Sequence, residues 1–216
     1  MTDAGLIDRL HARWRADLEA LGLSPDSGEA AFAGIVSSYT EPHRAYHTLE
    51  HLDFLFARLD AHTSRGDVWP RLAFAGWYHD VIYDPQAGNN EARSADRAVA
   101  ELGALGIAQP LRDRIAALIL ATASHAKGGA DHDDDIFLDA DFAILGADPE
   151  RYRRYVAGVR FEYRAFDEAA WRNGRGAFLR GALAQARFFR TDIFEQAYGA
   201  QARANIAAEL AVLSAD

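Results

Sequence analysis

Apolar side chains recur every three or four residues along most of the 216-residue chain, which is the spacing of one face of an α-helix. The stripes that mark these faces begin at Leu6, Phe32, Leu49, Ala92, Ile115 and Ile206. No segment alternates apolar and polar residues in the way that a half-buried strand does. The pattern therefore predicts an all-α fold, and the chain length is that of one domain covering residues 1–216.

One segment, Leu72–Tyr83, is apolar on nearly every side, which is typical of a buried central helix. Asp84 and Pro85 follow it, and a residue before proline disfavours the α region. The sequence therefore predicts a single buried helix from Leu72 to Tyr83. His79 and Asp80 lie near its C-terminal end.

Composition narrows the classes of function. The chain has no cysteine, which excludes disulfides, thiolate metal sites and a cysteine nucleophile. Its net charge of −9 makes capture of a long nucleic acid unfavourable. No apolar run is long enough to span a membrane, and the charged N-terminal segment lacks the apolar core of a signal peptide. We expect a cytoplasmic protein without a membrane partner.

The pair His79–Asp80 is the most informative chemical feature. An ionised carboxylate is rarely buried unless something positive meets it. A divalent cation between the two side chains would satisfy both. The alternative is an ion pair between Asp80 and an arginine, with His79 bonded to a backbone carbonyl.

Two further segments carry residues that could bind a metal. His47 and His51 are four residues apart, so a helix would place them on one face; the alternative is two half-exposed histidines at a helix start. Downstream, a helical wheel puts Asp141 on the flank of the buried stripe and Asp139 on the far side. Asp141 is therefore the better candidate ligand, and Asp139 is expected to orient a neighbour or cap the helix.

These pieces together resemble the HD-domain superfamily of metal-dependent phosphohydrolases. In that family a His, a His-Asp pair and an Asp on separate helices hold the metal, and here the pattern matches His47, His79, Asp80 and Asp141. The flanking sequence is similar to a bacterial group of predicted HD-superfamily phosphohydrolases in the segments Arg44–His51, Trp77–Pro85, Asn90–Ala95 and Leu138–Gly146. The resemblance implies a metal-site core at about 39–146 and a helical C-terminal extension at about 149–216.

The resemblance implies cleavage of a phosphate ester or anhydride through a metal-activated water. The expected substrate is a small phosphorylated metabolite or a nucleotide. We expect one divalent ion, because Asn90 stands where binuclear relatives often carry an extra histidine. Mixed nitrogen and oxygen ligands do not choose among Mn, Fe, Co, Ni, Zn and Mg.

Three residues are expected to act on the substrate. Glu91 is the candidate that handles a proton, and Arg44 and His125 are the candidates that face the phosphate. Lys127, the only lysine of the chain, follows His125 closely but is more simply explained as a solvated side chain.

Other functions stay open. His47, Glu50 and His51 also fit the H-x-x-E-H pattern of zinc peptidases, in which Glu50 would be essential. A second alternative is a non-catalytic module that binds a metal or a nucleotide. The C-terminal helices could shape the pocket or the surface of a homodimer.

The acidic run Asp131–Asp135 lacks the glycine and glutamate that a calcium-binding EF-hand places at its sixth and twelfth positions. Ile136 and Phe142 occupy those positions. We therefore expect a solvated acidic loop and no calcium site.

Overall fold

The computed structural model describes residues 4–123 and 129–214. Over these ranges the chain forms helices, turns and bends and no strand, which confirms the predicted all-α fold. Two of the predicted site residues, His125 and Lys127, lie outside the described ranges. No helix within them is both long and apolar enough to cross a membrane.

The chain divides into two compact units, Met1–Leu138 and Asp139–Asp216. The helices that lie wholly in the first unit are α1 (Ala4–Glu19), α2 (Glu29–Tyr39), α3 (Leu49–His62), α4 (Trp69–Tyr78), α5 (Asn90–Ala104) and α6 (Gln109–Ala121). A seventh, α7 (His132–Phe142), begins in the first unit, and its residues from Asp139 onward belong to the second.

Helix α4 is the centre of the first unit. All its residues except Pro70 are buried, and α1, α3, α5 and α6 pack against it. This agrees with the burial that the apolar sequence predicts. Because α4 is covered on all sides, the chain that leaves its C-terminal end emerges among neighbouring helices.

The predicted C-terminal end of this helix is wrong. Helix α4 ends at Tyr78, and the next residues form a turn and a bend. A continued helix would need the Asp80 amide to bond to the Gly76 carbonyl, but that carbonyl accepts from His79 Nδ1 at 2.9 Å. The Asp80 amide instead donates to the Tyr39 hydroxyl at 3.3 Å. Side chains therefore end the helix before Pro85 can influence it.

A buried carboxylate joins α1 to α4. Asp17 is 1% exposed and accepts hydrogen bonds from the indole nitrogens of Trp69 and Trp77, at 2.8 and 2.9 Å. Burial raises the pKa of Asp17, and the two indole bonds oppose that shift. Each indole N–H would lack its partner without this carboxylate.

The acidic run at the start of α7 is also different from the prediction. Asp131 accepts from both terminal nitrogens of Arg71, at 2.8 and 2.9 Å, and from Arg114 at 2.7 Å. Asp134 is buried beside Arg71 Nε, at 3.1 Å. The expected solvated loop is thus wrong, because arginines of α4 and α6 pair with the run and α7 begins within it.

The second unit contains the end of α7, a 3-10 helical turn (Ala143–Gly146) and four α-helices. They are α8 (Pro149–Glu162), α9 (Glu168–Ala184), the short α10 (Asp192–Phe194), which continues into a π-helical turn (Glu195–Gly199), and α11 (Ala200–Leu213). Arg175 of α9 bonds both oxygens of Glu209 of α11, at 2.8 and 3.0 Å, and donates to Tyr155 of α8 at 2.9 Å. One buried ion pair thereby connects three helices.

We predict that Asp17→Ala lowers the free energy of unfolding by about 2–4 kcal/mol, because it leaves two buried indole donors unpaired. Urea denaturation followed by circular dichroism measures the change. Asp26→Ala is the control, since Asp26 is exposed and its ion-pair partner is Arg15, an arginine that is itself partly exposed, and it should cost under about 0.5 kcal/mol. Equal effects of the two changes would contradict the role given to Asp17.

Candidate metal centre

Four side chains with metal-binding chemistry converge in the first unit. His47 lies in the bend before α3, His51 in the first turn of α3, and His79 and Asp80 in the turn after α4. Burial differs among them: His51 and His79 are 3% and 1% exposed, whereas His47 and Asp80 are partly exposed. Residues from two separate segments of the chain therefore meet at one point.

The ligand atoms lie at distances that suit a shared cation. His51 Nε2 and His79 Nε2 are 2.9 Å apart. Asp80 Oδ2 lies 3.1 Å from His79 Nε2, 3.6 Å from His51 Nε2 and 3.9 Å from His47 Nε2. Ligand atoms in a tetrahedral zinc site are ~3.4 Å apart, given arms of ~2.1 Å. His51 and His79 are thus among the side chains that could hold a metal ion.

The orientation of His79 is fixed by its second ring nitrogen. Nδ1 lies 2.9 Å from the Gly76 carbonyl oxygen, and because a carbonyl only accepts, Nδ1 must carry the proton. In the neutral imidazole the lone pair is then on Nε2, which faces His51 and Asp80. Metal-binding histidines commonly donate their other ring N–H to a carbonyl or carboxylate in this way.

Asp80 requires positive charge nearby. Burial acts to raise its pKa, but charge on His79 and His47 and a hydrogen bond from His79 outweigh burial and hold the pKa well below its ordinary value. A neutral His79 with its proton on Nδ1 would instead present a lone pair to Asp80 Oδ2. An imidazolium or a bound cation resolves this conflict, and the donor set fits a divalent metal.

The turn that carries His79 and Asp80 is held by side chains. The residues that bond its backbone are Tyr39, His43, Arg44, Asn90 and Ser94. Ser94 accepts from the Ile82 amide at 3.1 Å and donates to its carbonyl at 3.3 Å. The turn is therefore fixed by α2, α5 and the segment before α3.

Asn90 has a structural part in this turn. Its amide group donates to the Asp84 carbonyl at 2.8 Å and accepts from the Asp84 amide at 3.1 Å. The Asn90 side chain thus pairs with both backbone groups of Asp84 and joins the end of the turn to the start of α5. Its neighbour Glu91 is partly exposed in the first turn of α5, and its expected part in proton transfer stays a prediction.

The Arg44 side chain is not exposed in the way that a substrate-binding side chain usually is. Its side chain is fully buried, and its nitrogens bond Glu41 and the carbonyls of three residues, His47, Asp80 and Val81. This arrangement favours a role in holding the site over contact with a phosphate, which stays a prediction.

Three other predicted residues have different outcomes. Asp141 lies in the second unit, and its role as a ligand stays a prediction. Asp139 is buried and accepts from the amides of Arg190 and Thr191, each at 2.8 Å. It therefore orients the start of α10, as one of its expected roles requires. His125 lies outside the described residues.

His51 is the side chain that the predicted ligand set leaves out. Its Nε2 lies nearer to Asp80 Oδ2 than that of His47 does. The available signal was its spacing of four residues from His47, combined with a place on the buried face of α3. The sequence pairs the two histidines but does not say which of them turns inward.

A pocket of about 330 Å³ lies beside the turn in the first unit. Tyr39 and Arg44 line it and also bond the backbone of Asp80. Glu41 and Glu50 supply carboxylates to its walls. Glu50 is exposed and lines this pocket, as a catalytic glutamate of the peptidase alternative would need to do.

Comparisons of the chain with protein-family models, with characterised proteins and with solved structures find no match. The geometry of the four side chains is therefore the principal support for any function.

We predict about one transition-metal ion per chain in the wild type and none in the double variant His79→Ala/Asp80→Ala. His51→Ala should also lose the ion, because His51 Nε2 lies within the cluster. Elemental mass spectrometry after metal loading and desalting measures the content. His132→Ala, which changes an exposed histidine at the start of α7, is the control and should keep its ion. An equal metal content in all four proteins would exclude the cluster as the site.

Proposed function

We propose that this protein is a metal-dependent phosphohydrolase that cleaves an ester or anhydride of a small phosphorylated metabolite or nucleotide. The observation that carries the proposal is the cluster of His51 Nε2, His79 Nε2 and Asp80 Oδ2, which lie 2.9–3.6 Å apart, with His47 Nε2 at 3.9 Å from the Asp80 oxygen. Such a set is costly without a cation, since it gathers lone pairs and negative charge in a largely buried place.

A divalent ion in this site would lower the pKa of water and polarise a phosphoryl oxygen, which is the chemistry that cleavage of a P–O bond requires. The side chains of the cluster would hold the ion, and their own hydrogen bonds orient them toward it. His51 and His79 offer Nε2, and the bond from His79 to Gly76 fixes its ring. Asp80 contributes negative charge, which would stabilise a divalent ion beside the two imidazoles more strongly than a single proton.

The full ligand set is proposed to include His47 and Asp141, which the family resemblance supplies. His51 is added because of its distances to His79 and Asp80. In this proposal Glu91 accepts a proton from water as the water oxygen forms its bond to phosphorus. The bond from phosphorus to the leaving oxygen breaks, and that oxygen departs with the bonding electron pair and takes up a proton from solvent. Two carboxylates would then have separate tasks, Asp80 at the ion and Glu91 at the proton.

The substrate is proposed to be small for an electrostatic reason. A chain with a net charge of −9 repels a long polyanion. A single phosphate or a nucleotide needs only local positive charge, which a bound divalent ion would provide. The same reasoning argues against a nucleic-acid strand as substrate.

A zinc peptidase is the second candidate, because Glu50 lines the pocket beside the turn. The two functions differ in what they require of Glu50 and of His79. A peptidase of the H-x-x-E-H type depends on Glu50 and has no use for the pair His79–Asp80.

We predict that the metal-loaded wild type hydrolyses at least one member of a panel of phosphate monoesters and nucleotides. His79→Ala/Asp80→Ala should lower kcat/KM by about 1,000-fold or more, since the ion supplies several kcal/mol of transition-state stabilisation. Initial rates of phosphate release, measured by a colorimetric assay, give kcat/KM for the wild type and for the double variant.

Two matched carboxylate variants separate the candidates. Glu91→Gln should lower kcat by about 100-fold or more, which is typical of a lost general base, while Glu50→Gln should leave phosphate release nearly unchanged. Peptide cleavage that depends on Glu50 would overturn the proposal in favour of the peptidase. Metal binding without turnover of either substrate class would favour a non-catalytic module.

A further inference from the structure

We infer that Arg44 is the positioning residue of the metal site: it sets His47 and Asp80 relative to each other by bonding the backbone of both. The inference rests on the proposed function, because it concerns the same site. It replaces contact with substrate by an indirect role that acts through the ligands.

The hydrogen bonds of Arg44 connect the two segments that carry the ligands. One terminal nitrogen, Nη1, donates to the His47 carbonyl at 3.2 Å and to the Asp80 carbonyl at 2.7 Å. The other, Nη2, donates to the Val81 carbonyl at 3.2 Å. A single rigid group therefore bridges the bend before α3 and the turn after α4.

The remaining contacts hold the guanidinium plane in place. Nε donates to Glu41 at 3.0 Å. The Tyr39 and Tyr83 rings lie 5.1 and 5.4 Å from the guanidinium carbon, which is within the range of cation–π attraction. A buried cation is costly without such partners, so its place here depends on the geometry of both segments.

Lysine could not perform the same task. The guanidinium presents its donors in a flat fork with fixed directions, whereas an ammonium is a point charge on a flexible stem. Three carbonyls in two segments require that fork. An Arg44→Lys variant keeps the positive charge and much of the volume of the side chain but cannot make the three bonds to backbone carbonyls at once. It therefore tests the directed hydrogen bonds of the guanidinium and not its charge.

The expected effect is on metal affinity. Groups that orient metal ligands commonly change affinity by 10–100-fold when altered. We therefore expect Arg44→Lys to weaken Zn²⁺ binding by about 10–100-fold in isothermal titration calorimetry of the full chain. With Co²⁺ in place of Zn²⁺, the visible absorption spectrum should change in shape, because the ligands sit in a different arrangement.

Arg71→Lys is the matched control. Arg71 is also a buried arginine of the first unit, but its partners are the carboxylates of Asp131 and Asp134. A general loss of stability would affect both lysine variants. We expect Arg71→Lys to keep Zn²⁺ affinity within about threefold of the wild type and the Co²⁺ spectrum unchanged, because its partners lie outside the metal site.

A second measurement on the wild type covers the case in which Arg44→Lys does not fold. If the bonds of Arg44 favour metal binding, metal binding must favour the bonds of Arg44 by the same factor. Zn²⁺ should therefore slow hydrogen exchange of the Arg44 guanidinium, followed by ¹⁵N NMR, and leave that of Arg71 unchanged. Equal slowing of both arginines, or of neither, would overturn the inference.

The outcomes separate the two proposals. Zn²⁺ binding by the wild type with equal affinity in Arg44→Lys overturns the positioning role and leaves the proposed function intact. A wild type that binds no Zn²⁺, Co²⁺ or Mn²⁺ overturns both. Weaker binding and an altered Co²⁺ spectrum only in Arg44→Lys support the positioning role.

Discussion

The backbone of the segment from His79 to Asp84 makes most of its hydrogen bonds to side chains, where a helix would make them to itself. The Gly76 carbonyl, which would continue α4, is taken by the His79 ring. Arg44, Ser94 and Asn90 then bond the carbonyls and amides that follow. The cost of unpaired buried backbone groups makes such substitution obligatory once the helix stops. Every ligand of the turn inherits its position from these bonds.

The charges at the site follow from this geometry. The turn leaves helix α4 and brings Asp80 close to His51 and His79, both of which are buried. An isolated carboxylate would be protonated there, yet the imidazoles keep its pKa low. The arrangement therefore favours positive charge beside Asp80, which either imidazolium ions or a bound cation would supply.

Much of the fold could be predicted from the sequence because burial is periodic. The stripes of α1 and α3 and the largely apolar α4, whose exception is Arg71, follow directly from side-chain spacing. The end of α4 could not be predicted from Pro85, because it depends on the bond from the His79 ring to the Gly76 carbonyl and on the distant Tyr39 hydroxyl. The turn that follows is held by Arg44 and Ser94, which are also at least a dozen residues away. Periodicity carries no information about such distant hydrogen bonds.

The candidate site was predictable to the same extent. The pair His79–Asp80 is conspicuous, because charge within an apolar segment needs a partner. The choice between His47 and His51 depends on where α3 begins, and Thr48 precedes its first residue. Arg44 resembles a phosphate contact in sequence because arginine suits anions, and only its three carbonyl partners reveal another task. The acidic run at the start of α7 was equally ambiguous, since its arginine partners lie on α4 and α6.

The central claim is that imidazole nitrogens of this cluster bind the metal directly. X-ray absorption spectroscopy of the zinc-loaded chain tests it without any assumption about substrate. The account predicts two or three imidazole ligands at about 2.0–2.1 Å, with their characteristic outer-shell scattering. A first shell of oxygen atoms alone, with no imidazole scattering, would contradict it.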